Sequence, residues 1–537
     1  MKRQGLLIAA IGTCLLAGTQ DGRRWWSHVQ YLADDHLEGR NTGSEGHRKA
    51  AAYVAGEFER AGLKPAGVQG YMQPVPFHTC RVVEKESSLA LVHGAVAERL
   101  ALGEDAIISS RVDPAPSLDA PVVFGGYALT VPEMHYDDLA GLDLHGKVVL
   151  YITGGPANIP GPLRSHYQAA AERGRFLQRA GVVGTIAIPN PHHMDLPWQR
   201  IALGSRQASM TLADPALDET HGLKFAAAVN PEHAGKWFAG SGHAFQDLLA
   251  LVDAGQPLPR FPIPASIRAR VAVERSAVES QNVAAILPGT DPSLKGQYVV
   301  LTAHLDHLGI GEPINGDRIY NGAMDDASGV ASLIDIAQSL HESQTKLRRS
   351  LLFVAVTGEE KGLLGSKYFA AHPTVKAASM VADLNLDMFL PLFPLRSVTV
   401  YGLNESDLGE EIRAVAKTQG VKIQDDLEPA RNLFIRSDQY SFIRRGIPAL
   451  AFKVGYEKGS PEEKIAKTWL KERYHAPSDD TKQPVNLDCA ARFDDLIRKL
   501  AETVADSTAR PHWNSASFFR RFAPAWDDET RHLRCRI

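Results

Sequence analysis

The sequence predicts an α/β protein: a mixed, largely parallel central sheet flanked by helices, with a mostly β domain inserted into it. Three observations carry this. From about Ser280 onward, short apolar runs alternate with helix-period segments, the pattern of strands joined by crossover helices. Between about Arg81 and Glu279 the texture changes to short β-rich runs punctuated by Gly and Pro. The length of 537 residues suits about three structural units at roughly 100–200 residues each.

Composition narrows the class. Hydrophobic residues make up 44% and charged residues 22%, ordinary globular usage that excludes a disordered, collagenous or polytopic membrane chain. With 58 Lys+Arg against 62 Asp+Glu the formal net charge is −4, so no electrostatic footprint for nucleic acid is present. The N-terminus has Lys2 and Arg3, an apolar stretch from Leu6 to Leu16, then Ala17-Gly18-Thr19. This is the layout of a secretory signal peptide over residues 1–19. The stretch is shorter than the about 20 residues a membrane-spanning helix needs. The expectation is export to the periplasm or the medium, with no integral span in the mature chain. Cys14 would leave with the leader, and Cys80, Cys489 and Cys535 would remain. None sits in a CxxC, which argues against a thiolate metal site.

The elements follow in order. His47 to Ala61 repeats Ala51, Val54, Phe58 and Ala61 at helical spacing, and Gly62 stops it. In the insert, Val122-Val123-Phe124, Lys147 to Tyr151 and Thr185 to Ile188 read as strands, with one helix around Ala169 to Ala180. Beyond it, Tyr298 to Ala303, Ser350 to Val356, Val381 to Leu386, Ser397 to Tyr401 and Ile447 to Phe452 read as strands. Ala331 to Leu340, Leu408 to Thr418 and Leu487 to Thr503 read as helices. The division is a leader (1–19), the first part of the main domain (20–80), the insert (81–279), the rest of the main domain (280–506) and a tail rich in Arg and aromatics (507–537).

Five places carry chemistry, each just after an expected strand or in a loop, where sites form in open α/β sheets. His304-Leu305-Asp306-His307 follows the first strand, and Asp306 is placed to accept the other ring proton of a ligating His304. Asn321 to Gly329 holds Asp325-Asp326 ahead of a helix, and Thr357 to Gly362 holds Glu359-Glu360. Asp387 ends an apolar strand, and His475 lies in the loop Arg473 to Asp480. Singly, each is as well explained by helix capping or packing. Together they make two His and three carboxylates plus a free Glu. Oxygen and imidazole donors without Cys suit zinc, with manganese or cobalt as substitutes. Two such ions sharing one carboxylate would serve hydrolysis, with the spare glutamate as general base.

In this order, Ala303-His304-Leu305-Asp306, Gly322 to Gly329, Gly358-Glu359-Glu360-Lys361-Gly362-Leu363-Leu364-Gly365-Ser366, Asn385-Leu386-Asp387-Met388 and Tyr474-His475-Ala476-Pro477 resemble the clan MH dinuclear zinc aminopeptidases. These are the secreted bacterial leucyl-type enzymes with a phosphorylase/hydrolase-like fold. The resemblance covers about Ser280 to Asp506, with a weaker match at Leu37 to Ser44. The insert resembles a protease-associated domain, through Phe124 to Tyr127 and Tyr136 to Lys147.

The resemblance implies two zinc ions and a peptide substrate with a free N-terminus. Asp325 would bridge the ions, His304 and Asp387 would complete one site, and Glu360 and His475 the other. Glu359 would be the general base and Asp306 would orient His304. A cis peptide is implied at Asp325–Asp326. Arg436-Ser437-Asp438-Gln439-Tyr440 resembles the family's Ser-Asp-His element, with Gln439 where His is commoner, and Phe434 stands where some relatives carry a Tyr oxyanion donor. A carboxypeptidase or dipeptidase on the same scaffold is the alternative, since Arg431, Arg436 and Lys453 lie close to site motifs. A glutaminyl cyclase and a receptor-like binding protein are further alternatives, the latter opposed by the complete ligand set. Sequence does not give an oligomeric state.

Overall fold

The computed structural model describes residues 22–219 and 222–523. The expected leader, Cys14, Cys535 and the end of the tail lie outside the described residues. The described chain forms two compact units. The first holds the residues up to 75, 279–429 and 433 onward; the second holds 76–278 with 430–432. The stretch expected as an insert, 81–279, falls within the second unit except for its last residue. No helix among the described residues is long and apolar enough to cross a membrane.

In the first unit, α1 (Glu45–Arg60) opens on Ser44, whose hydroxyl accepts the His47 N–H. Seven of the ten strands of the main sheet matter here: β1 (Val273–Leu287), β2 (Tyr298–His304), β3 (Ser350–Val356), β4 (Met380–Asn385), β5 (Ser397–Tyr401), β6 (Lys422–Gln424) and β7 (Ala449–Val454). Their spatial order is β1-β3-β2-β4-β7-β5-β6. The four central strands β3, β2, β4 and β7 are mutually parallel, and antiparallel pairs flank them at β1–β3 and β7–β5. The parallel core needs crossovers, one of them α2 (Ser328–Glu342) between β2 and β3; α3 (Leu408–Thr418) joins the outer parallel pair β5 and β6, and α4 (Leu487–Asp506) closes the domain.

Both faces of the sheet are covered, so its central strands read as continuous apolar runs. Along β2, Val299 and Leu301 join one core with Val54 and Phe58 of α1, Val330 of α2 and Phe493 and Leu496 of α4. Val300, between them, joins the opposite core with Val354, Phe369 and Phe442. That alternation is the two-residue period of a strand. The tail docks as far as it is described. Trp513 and Phe519 are buried with Ile435, Ile443 and Ala449, and the Trp513 indole donates to the Gly446 carbonyl at 3.0 Å.

The second unit is built on an eight-stranded sheet. Ser117–Phe124, Val148–Ile152, Gly184–Ile188 and Phe225–Val229 run parallel in that order, and antiparallel strands flank them. The expected helix is present as Ala170–Arg179, joined by Gly161–Gln168, Trp198–Gly204 and Phe245–Asp253, which the sequence reading left out. Tyr127 and Trp237 are core residues. His192 sits on the surface, paired with Asp253 at 2.6 Å.

Candidate metal centre

The parallel strands of the first unit all end on one side, and the chemistry-bearing residues stand there. His304 is the last residue of β2, Glu359 and Glu360 follow β3, and Asp387 follows β4. Asp325 lies in the segment entering α2, and its peptide bond to Asp326 is cis. His475 comes from the turn after the helix Pro461–Glu472. Two of these loops hold L-residues in the left-handed region, Met388 at φ +50 and His475 at φ +54. Such conformations cost about 1 kcal/mol or more each and persist where surrounding packing enforces them.

Two clusters meet at Asp325. His304, Asp325 and Asp387 form one; His307, Asp325 and Glu360 form the other. His304 Nε2 lies 3.2 Å from Asp325 Oδ1 and 3.7 Å from Asp387 Oδ1. His475 Nε2 lies 3.2 Å from both Asp325 Oδ2 and Glu360 Oε2. Asp325 thus offers one oxygen to each side. The five residues expected as ligands are brought together, and His307 joins them.

The charges fit a divalent cation. Burial works against a charged Asp325, yet the imidazoles of His304 and His475 hold its carboxyl well below the usual range. Burial likewise opposes an imidazolium at His304, but Glu359, Asp325 and Asp387 hold it well above its ordinary value. A proton does there what a metal cation would do. Glu359 is pushed well up by burial and, against His304, by the carboxylates of Glu360, Asp387 and Asp438. The donors, imidazole nitrogens and carboxylate oxygens, are those of a zinc site.

Other residues hold this geometry. Asp306 was expected to orient His304 through its carboxylate, and the structure corrects this. The Asp306 main-chain carbonyl lies 3.0 Å from His304 Nδ1. A carbonyl only accepts, so Nδ1 carries the proton and Nε2 presents its lone pair. The tight turn sends the Asp306 carboxylate elsewhere: it accepts the Thr42 hydroxyl at 2.9 Å and the Glu359 N–H at 3.1 Å. Asp326 accepts from the N–H groups of His304 (3.3 Å), Gly329 (2.9 Å) and Met388 (3.1 Å), tying three site segments together. Asp479 accepts from Met324 N–H (3.0 Å) and Asp325 N–H (3.1 Å).

Arg40 is fully buried and its guanidinium donates to four carbonyls: Leu305 (2.9 Å), Asn321 (2.6 Å), Gly322 (3.0 Å) and Leu32. It clamps the segments that carry His304 and Asp325. Sequence reading quoted Arg40, Asp326 and Asp479 without giving them these tasks. The signal available was their charge next to buried motifs, since a buried charge needs partners.

In the Ser-Asp-Gln element, Gln439 is spent on structure. Its oxygen accepts from Asn385 at 2.8 Å and its amide donates to the Phe434 carbonyl at 2.9 Å. Phe434 packs edge-on against Phe519. Asp438 is buried with neither oxygen hydrogen-bonded, and burial pushes its carboxyl up to about 7. Tyr474 packs at a tilt against His475, ring centroids 4.0 Å apart, and burial with the charges of Asp325 and Glu360 keeps its phenol protonated.

Residues 282–501 match the model described as Peptidase family M28. Aminopeptidase Y of Saccharomyces cerevisiae is 28% identical over 235 residues, 43% of this chain and 40% of the yeast protein. A probable zinc metalloprotease of Pyrenophora teres f. teres is 34% identical over 112 residues, 21% of this chain and 23% of that one. The chain thus spans less than half the length of these curated relatives. An aminopeptidase from Aneurinibacillus sp. strain AM-1 shares the fold, with a TM-score of 0.54 at 20% identity over 91% of this chain and 95% of the other.

Proposed function

We propose that this chain is an exported, zinc-dependent aminopeptidase that hydrolyses the first peptide bond of peptides with a free N-terminus. One observation carries the reading: two ligand clusters share Asp325, and Glu359 stands beside them. His304, Asp325 and Asp387 would hold one zinc ion, and Asp325, Glu360 and His475 the other. Bound there, the ions supply Lewis acidity toward a carbonyl oxygen and acidify water. Glu359 takes the proton of the attacking water and returns it to the leaving amine. Its main-chain N–H is held by Asp306, which fixes where that carboxylate starts. Tyr474 remains a hydroxyl donor within the field of the site. The surplus of carboxylates, with Asp438 added to the three ligand carboxylates and the base, favours a cationic α-amine over a C-terminal carboxylate.

The names of the relatives support the exopeptidase class, and the N-terminal pattern supports export. A carboxypeptidase reading has one observation in its favour, the charge of Lys453 acting on Asp387. The test is hydrolysis of leucine anilide and leucyl peptides by zinc-loaded protein, with Glu359→Gln and metal-stripped protein as controls. Activity lost in both controls is expected. Loss on N-acetylation of the peptide supports the aminopeptidase; loss on C-terminal amidation instead would transfer the assignment to a carboxypeptidase. Activity that survives Glu359→Gln would refute the base.

A further inference from the structure

We propose that Phe519, in the C-terminal tail, is a positioning residue for the hydrolysis: it braces the two loops that carry Glu359 and the Ser437-Asp438-Gln439 element. The inference rests on the reading of Glu359 as the base.

The tail reaches these loops by a series of anchors. Arg349 donates to the Ala509 carbonyl at 3.0 Å, and Arg510 donates to the Met380 carbonyl at 2.9 Å. Trp513 pairs with Ser406 in a β-bridge. The Ser517 hydroxyl donates to Glu405 at 2.6 Å and accepts the Phe519 N–H at 3.2 Å, which opens the turn Phe518–Phe522. Phe519 is fully buried there. Its ring stands edge-on to Phe434, centroids 5.2 Å apart, and tilted to Trp513 at 5.9 Å. Phe434 is hemmed in at Gly402 as well, where a Cβ would stand 2.4 Å from its ring.

Two limbs run from this cluster to the site. One passes through Phe434. Its carbonyl accepts from the Gln439 amide at 2.9 Å, and Gln439 Oε1 accepts from Asn385 at 2.8 Å. The Asn385 amide also donates to Ser437 Oγ at 2.9 Å, so both of its hydrogens are spent and its orientation is fixed. Asn385 ends β4, two residues before Asp387. The other limb passes through Leu363, which packs against the same cluster. The Leu363 N–H donates to the Glu359 carbonyl at 2.9 Å and closes the turn that begins at the base. Leu363 is held at φ +60, a conformation that an L-residue keeps only where packing enforces it. The cluster containing Phe519 supplies packing of that kind.

Losing the Phe519 ring opens a cavity under both limbs. The base is then free to leave its place, and a misplacement of about 1 Å costs a reaction on the order of 10²-fold. Among the described residues, the segments of His304, Asp325, Asp387 and His475 contribute nothing to this cluster. Zinc binding therefore depends on the brace far less than turnover does.

The test compares full-length, zinc-loaded wild type, Phe519→Ala and Phe519→Leu at a temperature where all are folded. It reads kcat and KM on a leucyl peptide, zinc content, and hydrogen exchange at the Gly362, Leu363 and Leu364 amides. Phe519→Ala should lower kcat by about 10²-fold, leave KM and zinc content near wild type, and quicken exchange at 362–364 but not in β2. Phe519→Leu should recover most of kcat. Wild-type kcat in Phe519→Ala, or exchange that quickens across the whole domain, overturns the proposal. Should Phe519→Ala fail to fold, Phe519→Leu decides: a partial loss of kcat with quickened exchange confined to 362–364 supports the brace, and wild-type kcat or domain-wide quickening overturns it. Glu359→Gln run alongside keeps the two readings apart. An active Glu359→Gln defeats the base and the brace with it, whereas an inactive one beside a fully active Phe519→Ala defeats the brace alone.

Discussion

Glu359 and Glu360 are neighbours in sequence with different surroundings. Glu360 stands against His307 and His475, and their imidazoles hold its carboxyl below the usual range against the effect of burial. Glu359 is pushed up by burial and, against His304, by the carboxylates around it. One is therefore suited to a metal and the other to a proton. Glu359→Gln should keep zinc content and melting temperature while lowering kcat by about 10²–10⁴, the usual worth of a general base; steady-state kinetics on the metallated variant checks this. A second residue gives a pH dependence. His47 is buried in α1, with Nδ1 3.2 Å from Ser280 Oγ and Nε2 without a partner. Burial, with the Arg40 and Arg48 charges adding to it, lowers it from 6.5 to about 3. The folded state keeps it neutral while the unfolded state takes a proton below pH 6.5. Stability is thus lost as pH falls through that window, at about 1.4 kcal/mol per pH unit. Chemical denaturation at pH 7 and pH 4.5 should show a steeper loss in wild type than in His47→Gln.

At the scale of elements, the site is a set of strand ends held in register by loops. The parallel strands β2, β3 and β4 deliver His304, the Glu359–Glu360 pair and Asp387 to one edge. The segment entering α2 must then pass close beneath the His307 ring. Gly322 makes that possible: at φ +62 a Cβ would lie 2.1 Å from the Asp325 carbonyl oxygen and collide with His307. Gly322→Ala should destabilise the protein by more than about 1 kcal/mol and weaken zinc binding, since it displaces the carbonyl of the residue shared by both clusters. Thermal melting and zinc calorimetry, run together, separate the two effects. An unchanged zinc isotherm would mean that the loop has slack the packing does not suggest.

For the whole molecule, several buried carboxylates converge on one point. Asp325, Glu360 and Asp387 repel one another and lose hydration on folding, a cost that a cation offsets. Metal binding should therefore be visible as stability. Chelation is expected to lower the thermal midpoint, and added zinc to restore it with a dependence on free zinc concentration, as for any ligand that binds the native state alone. A midpoint indifferent to zinc would refute a metal centre in this cluster.

Much of this was legible in the order of residues. Continuous apolar runs such as Val299 to Leu301 and Leu351 to Val356 belong to strands covered on both faces, and local patterning suffices to find them. The ligand candidates were legible because strand-end His and acid residues recur in motifs far apart in the chain. The partners of those residues were not. Arg40, about 280 residues from Asn321 and Gly322, meets them only because α1 and its preceding turn pack beside β2. That Asp306 orients His304 through its carbonyl, that Asp326 joins three segments, and that His307 turns toward Glu360 depend on dihedral angles and close approaches between distant segments. Those are decided when both faces of the sheet are packed, because only then is each buried polar group forced to find a partner.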